Sequence, residues 1–374
     1  MAKKRVIVKI GSSSLTNGKG ELSKIKLLEH TGAIAQLIKL DYEVILVSSG
    51  AVAAGFSDLG YPIRPITLAG KQAAAAVGQG LLVQAYTEAF KEHQIVTAQL
   101  LLTRDVFVSE EQYGNAYSTL KELLKRSVLP IINENDSVAI DELTFGDNDM
   151  LSALVGGLTR ADFLIILTDI NGFYDKNPHV NPSANRYDYL PTITDSLIEQ
   201  ADVVSNSKLG TGGMKSKLLA AKTALSLGVN TFVGSGSGEN KLVEILNGNG
   251  DGTYIGEKKS HSFRKQKQWI AFHSSIRGQL LIDTGAEQAI SFEGKSLLPA
   301  GIKTVQGDFE AGDVVELLNL EQRVLAKGQV NYSSTELKQI KGMISKEAMK
   351  LTNHLRPEVI HRDRLVLSLK EVIL

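Results

Sequence analysis

The chain has 374 residues, enough for two domains, with 41 basic against 41 acidic side chains and no cysteine. That balance leaves no global field to gather polyanions, so any anion site must be local. The missing thiols exclude disulfides, thiolate metal centres and cysteine nucleophiles, and suit a reducing, cytoplasmic setting.

The opening MAKKRVIVKIG carries basic residues and then an apolar run too short for a signal-peptide core. The longest uncharged stretch, residues 72–87, holds glycines and glutamines and falls short of the ~20 apolar residues that cross a bilayer. No membrane segment is expected. Residues 5–10 (RVIVKI) form a β-branched run ended by Gly11, the pattern of a buried strand, and it delivers Lys9 to that strand's carboxyl end beside GSSS. Ser23 is a candidate N-cap for a helix marked by Leu27, Leu28, Ile34, Ala35 and Ile38, and residues 43–47 (EVILV) are a second strand that runs into SSGAVAAG. Strand, helix, strand is a βαβ unit, and parallel sheets bind ligands beyond the carboxyl ends of their strands, where both Lys9 and Ser49 fall.

The alternation continues with an Ala-rich helix over 71–93, a strand over 95–102, a helix over 110–126 and a strand over 128–133. Two clusters of acids and amides follow, Asn133 to Asp136 and Asp147 to Asp149, the second just before a helix carrying Leu151, Leu154, Val155 and Leu158. Asp147 in that place is either a helix cap or part of a site. Residues 163–167 (FLIIL) are another buried strand, ending in Thr168, Asp169 and the loop NGFYDKNPHVNP, whose Phe173 and Tyr174 either cover a base or anchor the loop.

Residues 207–217 read SKLGTGGMKSK, glycines first and lysines second, and Met214, Leu218, Ala221 and Leu225 then mark one apolar helical face. Gly210, Gly212 and Gly213 therefore stand at a helix mouth, where unsatisfied N–H groups and the positive end of the macrodipole favour an anion. Side chains on a helix lean toward its N-terminus, so Lys217 can reach back over that anion, and Lys215 is the alternative. An ordinary surface loop is the competing reading of this stretch alone. A strand over 229–233 and the loop GSGSGEN come next.

From about residue 257 the character changes. EKKSHSFRKQKQW carries Lys258, Lys259, Arg264, Lys265 and Lys267 and reads as a polar linker over 257–268. GQLLIDTGAEQAI, GKSLLPAGIKTVQGDFEAGDVVELLN and RVLAKGQVNYS then read as short strands with Gly and Asp turns, a small β-rich module over 269–353. The tail, 354–374, shows no clear organisation. The five linker cations are either solvated or an RNA contact.

No GxxxxGK[ST] and no GxGxxG after the first strand occur, so a nucleotide must be held by other means. Phosphoryl transfer needs in-line positioning and cations where negative charge accumulates, which Lys9 and Lys217 suit, with Asp149 holding their ammonium groups in place. An ionised carboxylate acceptor needs no general base, consistent with the lack of histidine in these motifs.

Together VKIGSSSL, VSSGAV, INEND, GDNDMLSALV, LTDINGFYDKNP and GTGGMKSK resemble the amino acid kinase family, over about residues 6–255, and SLLPAGIKTVQGDFEAGDVV is similar to a PUA domain, an RNA-binding module. The resemblance implies an α/β fold, a mainly parallel open sheet sandwiched by helices over residues 1–256, with a second, small β-rich PUA-like domain. It implies ATP and Mg²⁺, L-glutamate as acceptor and L-glutamyl 5-phosphate as product. Carried onto this sequence, Lys9 and Lys217 are the transition-state cations and Asp149 their organiser. Ser49, Asn133, Asp136 and Asn148 contact glutamate. Lys9, Thr168, Asp169 and the loop of Gly210, Thr211, Gly212, Gly213, Met214, Lys215 and Ser216 contact ATP. Also implied are feedback inhibition by proline, a homo-oligomer (tetramer or dimer) and a glutamyl-phosphate reductase as partner. Substrate choice has its own physical argument: a free α-ammonium calls for an anion such as Asp136, whereas an N-acetyl amino acid would leave that carboxylate unpaired. A nucleoside monophosphate would want arginines, and the clusters contain none.

Overall fold

The computed structural model describes residues 3–138, 148–176, 178, 180–204, 213–256, 276–291, 293–352 and 357–367. The chain divides into two compact units with the break after residue 261. The basic stretch 257–268 lies outside the described residues.

The first unit runs β1 (Arg5–Ile10), α1 (Lys24–Lys39), β2 (Glu43–Ser48), α2 (Ala51–Gly55), α3 (Leu68–Lys91), β3 (Thr97–Leu102), α4 (Asp105–Val108), α5 (Glu110–Lys125), β4 (Leu129–Glu134), α6 (Asn148–Thr159), β5 (Phe163–Leu167), β6 (Phe173–Tyr174), β7 (Arg186–Tyr187), β8 (Tyr189–Leu190), α7 (Asp195–Val204), α8 (Met214–Ser226), β9 (Asn230–Gly234), α9 (Lys241–Leu246) and β10 (Gly252–Ile255). Eight of these strands form one sheet in the order β3-β4-β2-β1-β5-β9-β10-β8. Pairing is parallel except between β9 and β10. After β1 the chain builds outward through β2 and later crosses to the other side with β5, so the carboxyl ends of β1 and β5 flank the point where the strand order reverses. Such a crevice is where open α/β sheets hold ligands.

β1 lies inside the sheet with both faces covered, so alternate residues serve two cores. Val6, Val8 and Ile10 pack with Leu27, Ile34 and Leu37 of α1 and Leu82 and Tyr86 of α3. Ile7 points the other way, toward Gly156 of α6. Lys9 shares that second face, and this periodicity of two brings a lysine under the start of α6. On the first side α2 and α3 approach with no room for side chains. A Cβ at Gly78 would run into the Ala51 carbonyl oxygen, and one at Gly55 into the Ala74 carbonyl oxygen.

The second unit is built on a five-stranded sheet, β12-β11-β13-β14-β15, from β11 (Ile276–Ile282), β12 (Ile302–Gly307), β13 (Val314–Leu318), β14 (Val324–Gln329) and β15 (Leu365–Leu367). Two features depart from the sequence reading. GAEQAI is not strand but part of a helix, Thr284–Ser291. The Asp283 carboxylate accepts from the Ala286 N–H at 2.8 Å, so the turn signal DTG is a helix N-cap. The tail is also organised: β15 pairs antiparallel with β14, and Val359 and Ile360 are fully buried in this unit's core. A three-residue strand is too short to show periodicity, which hides it in the sequence.

Candidate active site

Three side chains from separate elements meet at the crevice. Lys9 Nζ lies 2.6 Å from Asp149 Oδ1, and Lys217 Nζ donates to Asp149 Oδ2 at 3.1 Å. Asp149 is wholly buried, and Lys9 and Lys217 are 3% and 6% exposed. A buried ion is costly unless paired, and one carboxylate between two ammonium groups leaves the trio with a net charge of +1. Asp149 stands in the first turn of α6, where the helix dipole favours an anion. Lys217 stands in the first turn of α8, with Met214, Lys215 and Ser216 half-buried around it, and the Ser216 hydroxyl donates to Gly213 O at 3.0 Å. Lys215 sits two residues before Lys217 and therefore on another side of the helix. Gly11 closes the crevice beneath Lys9: a Cβ there would sit 3.4 Å from Lys9 Nζ and 3.7 Å from Leu167 O.

Next to the ion cluster is a row of amides. Asn148, the residue before Asp149, donates through Nδ2 to Asn133 Oδ1 at 2.9 Å, to Ser49 Oγ at 3.0 Å and to Ser48 O at 3.3 Å. Asn133, near the end of β4, accepts from the Glu134 N–H at 2.9 Å and donates to Gln79 Oε1 at 2.8 Å. Asp136 follows two residues past β4 and is half-buried. Loss of solvent pushes its carboxyl up to about 6, and the Arg64 guanidinium opposes that shift. The clusters themselves hold no arginine, as the sequence reads, but the Arg64 charge reaches Asp136 from outside them. Arg64 comes from the loop between α2 and α3, remote in sequence from Asp136, and only folding brings its field there.

Thr168 directly follows β5. Its N–H donates to Gly234 O at 3.0 Å, and its hydroxyl to Oδ1 of the exposed Asp169 at 3.0 Å. Phe173 is fully buried with its N–H on Thr253 Oγ1 at 2.8 Å, and Tyr174 donates to Asn171 Oδ1 at 2.8 Å, so the aromatic pair anchors the loop. Asp251 ties this region together, accepting from Arg186 Nη1 and from Ser235 Oγ at 2.9 Å, while Arg186 also donates to Asn171 O at 3.2 Å. Gly210, Thr211, Gly212 and Asp147 lie outside the described residues.

The structure thus brings Lys9, Lys217 and Asp149 into one cluster and Ser49, Asn133 and Asn148 into a second that shares the first turn of α6. Sequence reasoning missed Gln79, Arg64, Asp251 and Arg186. For Gln79 the one available signal was a polar side chain recurring inside the otherwise largely apolar, uncharged stretch 72–87 of α3.

The amino acid kinase family model matches residues 4–235, and the PUA domain model matches residues 278–352. The chain is 58% identical to a glutamate 5-kinase of Bacillus cereus over 98% of its own length and 100% of that protein. It is 58% identical to a glutamate 5-kinase of Halalkalibacterium halodurans over 100% of this chain and 99% of that one. It is 56% identical to a glutamate 5-kinase of Geobacillus kaustophilus over the full length of both.

Proposed function

We propose that this chain, which belongs to the amino acid kinase family, transfers the γ-phosphoryl group of ATP to the γ-carboxylate of L-glutamate, giving L-glutamyl 5-phosphate for proline synthesis. The observation that carries this reading is the buried Lys9–Asp149–Lys217 cluster, with its amide-lined neighbour on the same helix turn. Full-length relatives named glutamate 5-kinase support it.

A glutamate γ-carboxylate oxygen attacks the γ-phosphorus while the bond to the β,γ-bridging oxygen breaks and ADP leaves with the electron pair. The acceptor is already ionised, so no proton has to move. Lys9 at the end of β1 faces the nucleophile and the γ-phosphoryl oxygens, and Lys217 faces the leaving β-phosphate oxygens. Asp149 holds both ammonium groups between fixed positions, so they need not reorganise as charge shifts in the transition state. Thr168, Asp169 and the start of α8 hold the nucleotide. Mg²⁺ would arrive on the nucleotide's phosphates, as it usually does in phosphoryl transfer. When bound, the ion neutralises β- and γ-phosphate charge.

Asn148, Asn133 and Ser49 bind the amino acid, and Asp136 takes its α-ammonium. A carboxyl pushed up to about 6 by burial gains most from a cationic partner, whereas an N-acetylated substrate would leave it without one. Proline as a competing inhibitor, a homo-oligomer and a reductase that consumes the labile acyl phosphate belong to the same proposal.

The test is hydroxylamine trapping with Mg·ATP, offering L-glutamate, N-acetyl-L-glutamate and L-aspartate in parallel, because an acyl phosphate is captured as a hydroxamate. Hydroxamate from glutamate alone is expected. Hydroxamate only from N-acetylglutamate or aspartate would overturn the role of Asp136, and none from any acceptor would overturn the reaction.

A further inference from the structure

We infer that Gln79, on helix α3, is a positioning residue that, with the Glu134 N–H on the opposite side of Asn133, locks the direction of the amide row in the acceptor site and so presents Asn148 Oδ1 to the incoming amino acid. This rests on the acceptor reading above.

The argument starts from a group that cannot turn. The Glu134 backbone N–H donates to Asn133 Oδ1 at 2.9 Å, which fixes the Asn133 carbonyl on that side and sends its NH₂ the opposite way. There Gln79 Oε1 accepts it at 2.8 Å. With Asn133 Oδ1 so placed, the Asn148 NH₂ must face it, and does so at 2.9 Å while also reaching Ser49 Oγ and Ser48 O. Every amide in the row therefore points the same way, from Asn148 through Asn133 to Gln79. What remains at the far end is Asn148 Oδ1, a buried acceptor with no hydrogen-bond partner among the described residues, on a residue only 9% exposed. A buried orphan acceptor is costly, and in a binding site that cost is recovered when a ligand donor arrives. An α-ammonium is such a donor.

Gln79 can reach Asn133 because its neighbour Gly78 lets α3 come down onto α2 without a side chain between them. Two turns along the same face, the hydroxyl of the buried Tyr86 lies 2.8 Å from Ser48 Oγ, and the Ser48 carbonyl is one of the acceptors for Asn148. Helix α3 thus grips the acceptor site from behind at two points. It touches neither lysine of the ion cluster through these bonds, so its influence falls on the amino acid and not on the nucleotide.

Three variants separate this from a packing role. Gln79→Leu keeps the volume and removes the acceptor, Gln79→Glu keeps an acceptor oxygen, and Gln79→Lys puts a donor against the Asn133 NH₂. Wild-type hydroxamate formation first identifies the carboxylate used, which tests the acceptor reading by itself, and the variants are then compared on that carboxylate. Gln79→Leu should raise its KM about tenfold, the loss of one net hydrogen bond's worth of order, with the ATP KM within twofold of wild type. Gln79→Lys should raise it further, and Gln79→Glu should stay within about threefold. Equal rises in both KM values, an unchanged acceptor KM in Gln79→Leu, or a Glu variant as impaired as the Lys variant would each overturn the proposal. Should Gln79→Leu fail to fold, the Glu-to-Lys ratio carries the same test, since the two differ in acceptor against donor at similar reach.

Discussion

The pH dependence of acceptor use offers the most direct examination of Asp136. Its carboxyl is pushed from the ordinary 3.8 up to about 6 by burial, against the opposing field of Arg64. Only the carboxylate can pair with an α-ammonium, so kcat/KM for glutamate should follow the ionised fraction in the free enzyme. With a value of about 6, that fraction is about 0.9 at pH 7 and about 0.1 at pH 5, a fall of about tenfold. A carboxyl at 3.8 would still be more than about nine-tenths ionised at pH 5, so the two cases separate cleanly. The substrate's own γ-carboxylate, with an ordinary pKa of about 4.3, stays mostly ionised over the same range. The linkage to stability has a definite sign. Because the folded-state value is raised, the folded protein binds this proton more tightly than the unfolded chain. Ionisation therefore costs stability progressively as pH rises from 3.8 through about 6, and the cost is constant above that. About two units at 1.4 kcal/mol each, discounted for partial exposure, is about 2 kcal/mol. Asp136→Asn should accordingly unfold at higher temperature than wild type at pH 7.5 while its glutamate KM rises by a factor of about 10² and its pH slope disappears. The assay is coupled ADP release at saturating ATP from pH 5 to 8, with thermal melts in parallel. A wild-type profile flat to pH 5, or an Asn variant that keeps the slope, would refute the reasoning.

Lys217→Ala should lower kcat by about 10² or more with the fold intact by circular dichroism, while Lys215→Ala should lose no more than a tenth as much, because Lys217 is the lysine seated on Asp149. Asp149→Asn removes the carboxylate from between two buried ammonium groups. Thermal melts should show a loss of up to about 3–5 kcal/mol, partly restored by ATP, whose phosphates return negative charge to the site. Gly78→Ala forces a Cβ onto the Ala51 carbonyl and should cost about 1–3 kcal/mol in denaturant titration. Its rise in glutamate KM should exceed that for ATP, because α3 carries Gln79.

The ion cluster was legible in the sequence because each member breaks a local pattern in a short motif: a lysine inside RVIVKI, a lysine after a glycine-rich helix mouth, an acid ahead of an apolar helix. The sheet was legible for the same reason, since β1, β2 and β5 are β-branched runs with clear ends. What stayed hidden was relational. Gln79 looks like any glutamine in an alanine-rich helix, and its bond to Asn133 spans 54 positions. Arg64 comes from a much earlier loop, and its charge acts on Asp136 only once the chain is folded. Thr284–Ser291 was misread because Asp-Thr-Gly is equally a turn and a helix start, and the choice is made by the Asp283 side chain on the Ala286 N–H.

Two placements suit the polyanion of the proposed reaction. Lys217 lies at the N-terminal end of α8, whose first turn has no acidic residue, so the helix dipole repels the charge it carries. Lys9 is 3% exposed on a strand inside a hydrophobic sheet, where a cation pays a desolvation cost. Asp149 offsets part of both costs, yet its single charge is shared between two ammonium groups. Proteins keep such conflicts where function needs them, and a ligand bearing several negative charges relieves both at once. The tilt toward an anion is thus built in before any substrate arrives. In the proposed reaction, Asn148 and Asp149, adjacent on one helix turn, would fix the distance between the amino acid and the cations that meet its phosphate donor.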